Sequence, residues 1–292
     1  MERSVYKELL TFVHSNFHNV QKCIEDLLIL HPGHSRHTFY SIFNQEFQKK
    51  MKMTHHLHTS LEKTNEYYLN YLEFKEGAQK TCVLQNMAYQ VGLSPFLMAK
   101  IIVERHLAIS KFDGKSPSKS DVNSAMRNPD LLEDEALARD VSWCATVDDF
   151  YGPVAESIKM SLGHEYETIL KNKLQEHGVP YQDEYQMRSR GYDKTPDTIL
   201  QIPIAVNGHI VNWIESKALF GDVPSHEKYV KEQLNCYTNR FGTGLVIYWF
   251  GYLAELKNSC KDIMVLDCFP REFKTLQVDG MDLILRTVAT NS

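Results

Sequence analysis

The sequence predicts an α/β chain, α+β overall: a helical N-terminal region followed by a unit built on a central mixed sheet flanked by helices. Three observations carry this. Apolar residues recur at helical spacing through about residue 107. A polar, Gly-, Pro- and Ser-bearing stretch, KFDGKSPSKSDV, interrupts the pattern at 111–122. Beyond it the period switches to short apolar runs around an Asn-Gly turn signal. The expected division is 1–110 helical, 111–150 linker and acidic connector helices, and 151–292 the mixed-sheet unit.

Each element follows in order. Val20, Cys23, Ile24, Leu27, Leu28 and Leu30 mark a helix that Pro32-Gly33 ends. Ser35 can cap the next helix, which carries Phe39, Ile42, Phe43 and Phe47 on one face. It runs into Lys49, Lys50, Lys52 and the His-rich run 54–58, then into a helix around Tyr67, Tyr68 and Tyr71. Residues 84–103 have helix-turn-helix spacing. Small Ala88 stands where two helices would cross, Gly92 at the turn, and apolar Met98 and Ile101 on the second helix. Ser94 would cap that helix and Pro95 take its first position. Its exposed basic residues are few: Lys100, Arg105 and His106. Residues 125–150 are acidic, with short helices expected. A helix is expected from Ala155 to His177, then strands at Thr198–Val206 and His209–Lys217 joined by Asn207-Gly208. A helix at Pro224–Arg240 and strands at Leu245–Phe250 and Ile263–Cys268 complete the order α-β-β-α-β-β.

Composition narrows the function classes. At 292 residues the chain is long enough for a large core, and 43% hydrophobic with 24% charged excludes disordered and collagen-like classes. No run approaches the ~18 apolar residues of a spanning helix, so no membrane partner is expected. The six cysteines form no C-x-x-C pair, which suggests reduced thiols. The net charge of −5 hides an asymmetry: residues 1–120 hold 15 Lys+Arg against 11 Asp+Glu, so the acidic excess lies entirely behind residue 120.

The chemistry sits on the hairpin. Thr195-Pro196-Asp197 precedes the first strand, and Trp213-Ile214-Glu215-Ser216-Lys217 ends the second. Two carboxylates at a sheet edge make an all-oxygen site suited to Mg²⁺ or Mn²⁺. Glu215 and Lys217 are two apart on a strand and share a face. The lysine can then orient or deprotonate a water, or steady developing charge, while a bound cation lowers the water's pKa. The same acid-x-Lys spacing recurs at Glu73/Lys75, Asp113/Lys115, Glu255/Lys257 and Glu272/Lys274, where no strand hairpin with an upstream Pro-Asp supports it. The competing account of Glu215 and Lys217 is a solvated strand pair.

One geometric condition follows. A strict two-residue Asn207-Gly208 loop pairs Val206 with His209, so Asp197 would face Ala218 and point away from Glu215 and Lys217. The site therefore requires one extra residue in one strand or a three-residue loop. Pro203, which cannot donate to the ladder, marks the expected bulge.

Flanking residues extend the pattern. Glu167 lies four after Gly163 on the preceding helix, with Glu165 as its alternative. Gln233 and Tyr237 lie four apart on the following helix. The set G-x-x-x-E, P-D, E-S-K and Q-x-x-x-Y resembles the PD-(D/E)XK nuclease superfamily. The runs GYDKTPD (191–197), WIESKA (213–218), NRFG (239–242), GLVIYW (244–249), YSIFNQEFQKK (40–50) and SPSKS (116–120) are similar to the animal codanin-interacting nuclease family over nearly the full length.

That resemblance implies a nuclease fold with Asp197, Glu215 and Glu167 on the metal and with Lys217 beside the water. Gln233 and Tyr237 would lie on the nucleic-acid side. It further implies Mg²⁺ or Mn²⁺ as cofactor, codanin as partner, a nuclear location with some cytoplasmic protein, and a link to red-cell maturation. Nucleic acid, DNA in the first instance, is the expected substrate, and a codanin-binding scaffold with weak or lost catalysis is the alternative. Lys194, Arg188 and Arg190, just before the Asp197 strand, could line a substrate groove. The clusters His31/His34/His37 and His55/His56/His58 lack cysteine partners and read as polar surface. Tyr248, Trp249 and Phe250 read as core strand.

Overall fold

The computed structural model describes residues 1–77, 82–279 and 282–290. In chain order the helices begin with α1 (Arg3–Ser15), α2 (Val20–Leu30), α3 (Arg36–Thr54), α4 (Leu61–Gly77), α5 (Val83–Val91) and α6 (Pro95–Ser110). They continue with α7 (Lys119–Arg127), α8 (Glu135–Val147), α9 (Pro153–Glu176), α10 (Glu184–Ser189), α11 (Val223–Tyr229) and α12 (Asn235–Phe241). The strands are β1 (Tyr181–Asp183), β2 (Thr198–Val206), β3 (His209–Lys217), β4 (Gly244–Tyr248), β5 (Ile263–Leu266), β6 (Glu272–Asp279) and β7 (Asp282–Ala289). The class is α+β, and no helix among the described residues is long and apolar enough to cross a membrane. Residues 78–81, inside the expected helical stretch, lie outside the described residues.

The chain forms two compact units. One comprises residues 1–16, 20–43 and 161–292; the other comprises 17–19 and 44–160. The compositional change near residue 110 is thus not a spatial boundary. The first helices belong with the sheet-bearing unit because their residues contact the segments that follow β3 and β4. The Met1 ammonium donates to the Tyr252 carbonyl at 2.8 Å, Tyr6 stacks on Phe220 at 5.7 Å, and the Ser41 hydroxyl accepts the Phe220 N–H at 2.8 Å.

The sheet runs β5-β4-β3-β2-β6-β7, with β1 beside the first half of β2. It is mixed: β3, β4 and β5 are parallel, and β2–β3 and β6–β7 are antiparallel pairs. β4 is buried along its whole length, as its apolar run LVIY requires of a central parallel strand. Leu170 and Leu174 of α9 pack with Leu200, Ile204, Val211, Ile214, Leu245 and Ile247 to form the core on one face. The close approach of β3 to β4 depends on Gly244. A Cβ there would lie 2.0 Å from the Trp213 ring, whose N–H donates to the Gly242 carbonyl at 2.8 Å.

The hairpin turn closes as its sequence dictates. Asn207 and Gly208 take φ of 48° and 82°, and Val206 pairs with His209. The ladder then breaks: Ile204 pairs with Val211, yet Ile199 pairs with Trp213 and Thr198 with Ile214. The irregularity lies between Ile199 and Ile204, contains Pro203, and shifts the register by three residues rather than one. The reason is that β2 changes partners there. Its first half pairs with β1, through Leu200 and Tyr181, and its second half meets β6 through Ala205 and Lys274.

In the helical unit, α5 ends on Gly92, whose φ of 71° supplies the left-handed cap, and the Leu93 N–H donates to the Ala88 carbonyl at 2.9 Å. Ser94 caps α6, Pro95 takes its first position, and Ala88, Met98 and Ile101 are buried. Asp148 fastens this corner. One carboxylate oxygen accepts the Ser94 hydroxyl and the Phe96 N–H, and the other accepts the N–H groups of Phe150 and Tyr151, each at 2.9 Å.

Candidate active site

The odd register shift turns Asp197 toward the face of Glu215. The Asp197 N–H donates to Glu215 Oε2 at 3.2 Å, and the Ser216 N–H donates to Asp197 Oδ2 at 2.7 Å. The two acids, one just before β2 and the other on β3, are therefore locked to each other's backbone. Ser216, pointing to the other face, accepts the Trp249 indole N–H at 2.8 Å, which anchors the strand from behind.

Lys217 completes the cluster. Its Nζ donates to Glu215 Oε1 at 2.7 Å and to Gln233 Oε1 at 3.3 Å, and it lies 4.7 Å from the centroid of the Tyr229 ring. Gln233 reaches it from a π-helical segment, Val230–Leu234, between α11 and α12. A π-turn widens the helix by one residue and recurs at functional sites. Here Tyr229 and Gln233 both meet the same ammonium.

Burial and crowding set the electrostatics. Glu215 is 4% exposed. Burial raises Asp197 well above the ordinary carboxylate range, and the Glu215 charge raises it further. Burial also raises Glu215, against the lowering effect of Lys217. Burial opposes the charge on Lys217, but the Glu215 and Asp197 carboxylates outweigh it and hold the ammonium above its usual value. Asp197 and Glu215 are the two side chains that could hold a hard divalent cation. Asp197 Oδ1 makes no hydrogen bond among the described residues, and a cation there would relieve the mutual repulsion.

The remaining expected residues lie at graded distances. Glu167, on α9, is partly exposed and contacts His164 at 3.7 Å; its charge reaches Asp197, whereas Glu165 faces solvent. Glu167 is not drawn into a ligand cluster: among the described residues no three His, Cys, Asp or Glu side chains gather closely enough to hold a metal. Tyr237, expected to face a ligand, is not open to one. It is buried at 4% exposure with its ring edge-on to Trp213 at 5.5 Å, because the helix face that presents Gln233 to Lys217 continues into the core. Lys194 and Arg190 are exposed on the segment leading into β2. Lys194 donates to the Glu232 carbonyl at 3.1 Å and Arg190 to Gln182 Oε1 at 3.0 Å, while Arg188 is paired with Glu184.

Sequence similarity supplies the identity. A protein-family profile described as "Protein of unknown function TPD sequence-motif" matches residues 133–269, which contain Thr195-Pro196-Asp197. Over 248 residues the chain is 46% identical to CDAN1-interacting nuclease 1 of Homo sapiens, covering 84% of this chain and 87% of that protein. The chain belongs to this family. CDAN1-interacting nuclease 1 of Xenopus laevis is 42% identical over 92% of this chain and 88% of its own length. The Gallus gallus protein of the same name is 37% identical over 95% and 97%. No solved structure matches.

Two neighbours of the site escape the sequence motifs of this CDAN1-interacting nuclease 1 relative. Tyr229 stands four residues before Gln233, so the spacing that marks Tyr237 on one side marks Tyr229 on the other. Glu184 opens α10, where its charge adds to the raising of Glu215 and its Oε1 accepts the Thr195 hydroxyl at 3.4 Å. The Asp183–Gln186 capping box is the signal that could have revealed α10.

Proposed function

We propose that the chain is a divalent-metal-dependent nuclease that hydrolyses phosphodiester bonds, with Asp197 and Glu215 as the metal-holding pair. The observation that carries this is the register shift. A three-residue excess in β2 serves no turn, and its consequence is to bring Asp197 onto Glu215 and Lys217. A resident Mg²⁺ or Mn²⁺ would supply a low-pKa water and charge neutralisation at the scissile phosphate. Lys217, held in its charged form, orients the nucleophilic water and stabilises the oxygens of the attacked phosphate as a donor rather than as a base. Gln233 and the Tyr229 face hold that ammonium in place. Glu167 adds negative charge at the edge of the pair, and Lys194 and Arg190 provide positive charge for the nucleic-acid backbone on the segment that enters β2.

The test is cleavage of single-stranded, duplex, flap and four-way DNA and of RNA, with Mg²⁺ or Mn²⁺. Asp197→Ala and Lys217→Ala should each lower the rate by about 10²–10⁴-fold. Equal behaviour of wild type and both variants on every substrate would remove the enzyme from consideration.

A codanin-binding scaffold is the second reading, supported by the relatives' name and by the lack of a three-ligand cluster among the described residues. Under either reading the chain binds codanin, acts chiefly in the nucleus and serves red-cell maturation in animals that have it. Asp197→Ala should leave capture of purified codanin unchanged if the partner surface is separate from the acid pair.

A further inference from the structure

We propose that Cys82 and Cys144, in the helical unit, are a redox-active dithiol that hydrogen peroxide converts to a disulfide. Their sulfur atoms lie 3.7 Å apart, although the residues are 62 positions apart in sequence. A disulfide bond measures about 2.05 Å, so closure asks the sulfurs to approach by about 1.6 Å. Cys82 can supply that movement. It stands just before α5 in extended backbone, with φ of −68° and ψ of 114°, where its side chain is not confined to helical rotamers. Cys144 is the fixed member, fully buried within α8.

The two thiols are not equivalent. Cys82 is partly exposed, whereas Cys144 is sealed from solvent. The Cys82 S–H donates to the Asp140 carbonyl at 3.8 Å, so within the pair the Cys144 S–H is the donor. That hydrogen bond lowers the Cys82 thiol from its ordinary value, against the opposing effect of burial. The N–H groups of Gln85 and Leu84, in the first turn of α5, lower it further. The same hydrogen bond raises Cys144, burial adds to the rise, and this thiol keeps its proton. An accessible sulfur that ionises readily, backed by a protonated one, is the arrangement of a reacting and a resolving cysteine. Cys23 gives the contrast. It is also buried, and burial and then the Asp26 charge push its thiol up to about 11.

The oxidation balances in two steps. The Cys82 thiolate attacks one oxygen of hydrogen peroxide, the O–O bond breaks, and the leaving hydroxide takes up the proton that Cys82 released. Cys82 is then a sulfenic acid, and one water has formed. The Cys144 sulfur next attacks the Cys82 sulfur, the S–O bond breaks, and the hydroxide leaves with the Cys144 proton as a second water. The two thiols together lose two electrons and two protons, and one peroxide becomes two waters.

The experiment exposes the native full chain to equimolar hydrogen peroxide in EDTA, alkylates the free thiols after unfolding and maps the peptides by mass spectrometry. Wild type should yield a Cys82–Cys144 crosslinked peptide that a dithiol reductant removes, with Cys23 alkylated. In Cys144→Ser the reaction should stop at the sulfenic acid, so trapping of Cys82 by dimedone should rise by about tenfold or more. Cys82→Ser should lose the crosslink and leave Cys144 reduced. Absence of the Cys82–Cys144 link in the native wild type, or equal dimedone trapping in wild type and Cys144→Ser, overturns the proposal. Should Cys144→Ser fail to fold, wild type and Cys82→Ser decide. A link in the first with Cys144 reduced in the second supports the pair; no link, or Cys144 oxidised without Cys82, refutes it.

Discussion

The α5–α6 corner and the β2–β3 hairpin are two turns built from similar local parts, and they differ in how far their consequences reach. The corner is closed by Gly92, Leu93 and Ser94, and what it positions, Ala88 against Met98, lies within the same short stretch. The hairpin is closed as locally, by Asn207 and Gly208, but what it positions lies at the far ends of both strands. Between turn and site the ladder slips by three residues. A turn thus determines its own neighbourhood, while the site depends on a strand-pairing choice made with β1 and β6.

The largest effect expected from breaking this comparison is at the slip. Deleting Gln201, whose side chain is exposed, would leave an even register shift and turn Asp197 to the face opposite Glu215. Its cleavage activity should fall as far as that of Asp197→Ala, by about 10²–10⁴-fold. The hairpin turn itself should survive, readable from the Val206–His209 amide pairing by NMR. Retained cleavage would show that the slip is not what faces the acids.

The same contrast explains what was legible in the sequence. Ser94, Pro95 and Gly92 each act on an adjacent backbone group, so the corner could be read residue by residue. The hairpin turn and the need for an odd slip near Pro203 were also legible, because strand alternation is a strict rule. The size of the slip was not, since it depends on β1, a three-residue strand with no periodicity to detect. The π-helical segment that carries Gln233 left no local trace either. The β6–β7 pair went unread even though Asp279-Gly280 is a hairpin signal; Asp279 pairs with Asp282, and residues 280 and 281 lie outside the described residues. The depth of Tyr237 was not legible, because the motif spacing locates a helix face without saying how deep that face sits.

In the helical unit the strongest disruption should come from Asp148, the one long-range member of the corner. Asp148→Ala leaves the Ser94 hydroxyl and three backbone N–H groups without their acceptor, a loss of roughly 2–4 kcal/mol. Hydrogen exchange of the first-turn amides of α6 should accelerate accordingly, while amides of β3 and β4 keep their protection. Unchanged exchange at Phe96 and Leu97 would show that the corner holds without its brace.

At the acid pair the sign reverses. Burial, and then the Glu215 charge, hold the Asp197 carboxyl above its ordinary range, so the folded chain keeps a proton that the unfolded chain has released. Stability from this source is full below the ordinary carboxylate pKa and is lost as pH rises toward the folded value. Asp197→Asn keeps an acceptor for the Ser216 N–H and removes the charge. In metal-free buffer it should stabilise the chain at pH 7 by about 0.5–2 kcal/mol and flatten the decline in stability that sets in as pH rises above the ordinary carboxylate range, as it abolishes cleavage. A destabilised variant with an unaltered pH slope would mean that the pair is not electrostatically strained.

The smallest effect expected tests the local side of the comparison. Gly92 has φ of 71°, and the nearest atom to a Cβ there would be Lys50 Nζ at 3.7 Å, the movable end of a side chain. Gly92→Ala therefore meets no wall, and its penalty is backbone strain alone, about 1 kcal/mol. If the corner is determined by its own residues, that penalty should appear as faster exchange at the α5 C-terminus and the α6 cap, with no change in cleavage rate. A loss of cleavage from this substitution would mean instead that the helical corner bears on the hairpin site, and the two turns would no longer be independent.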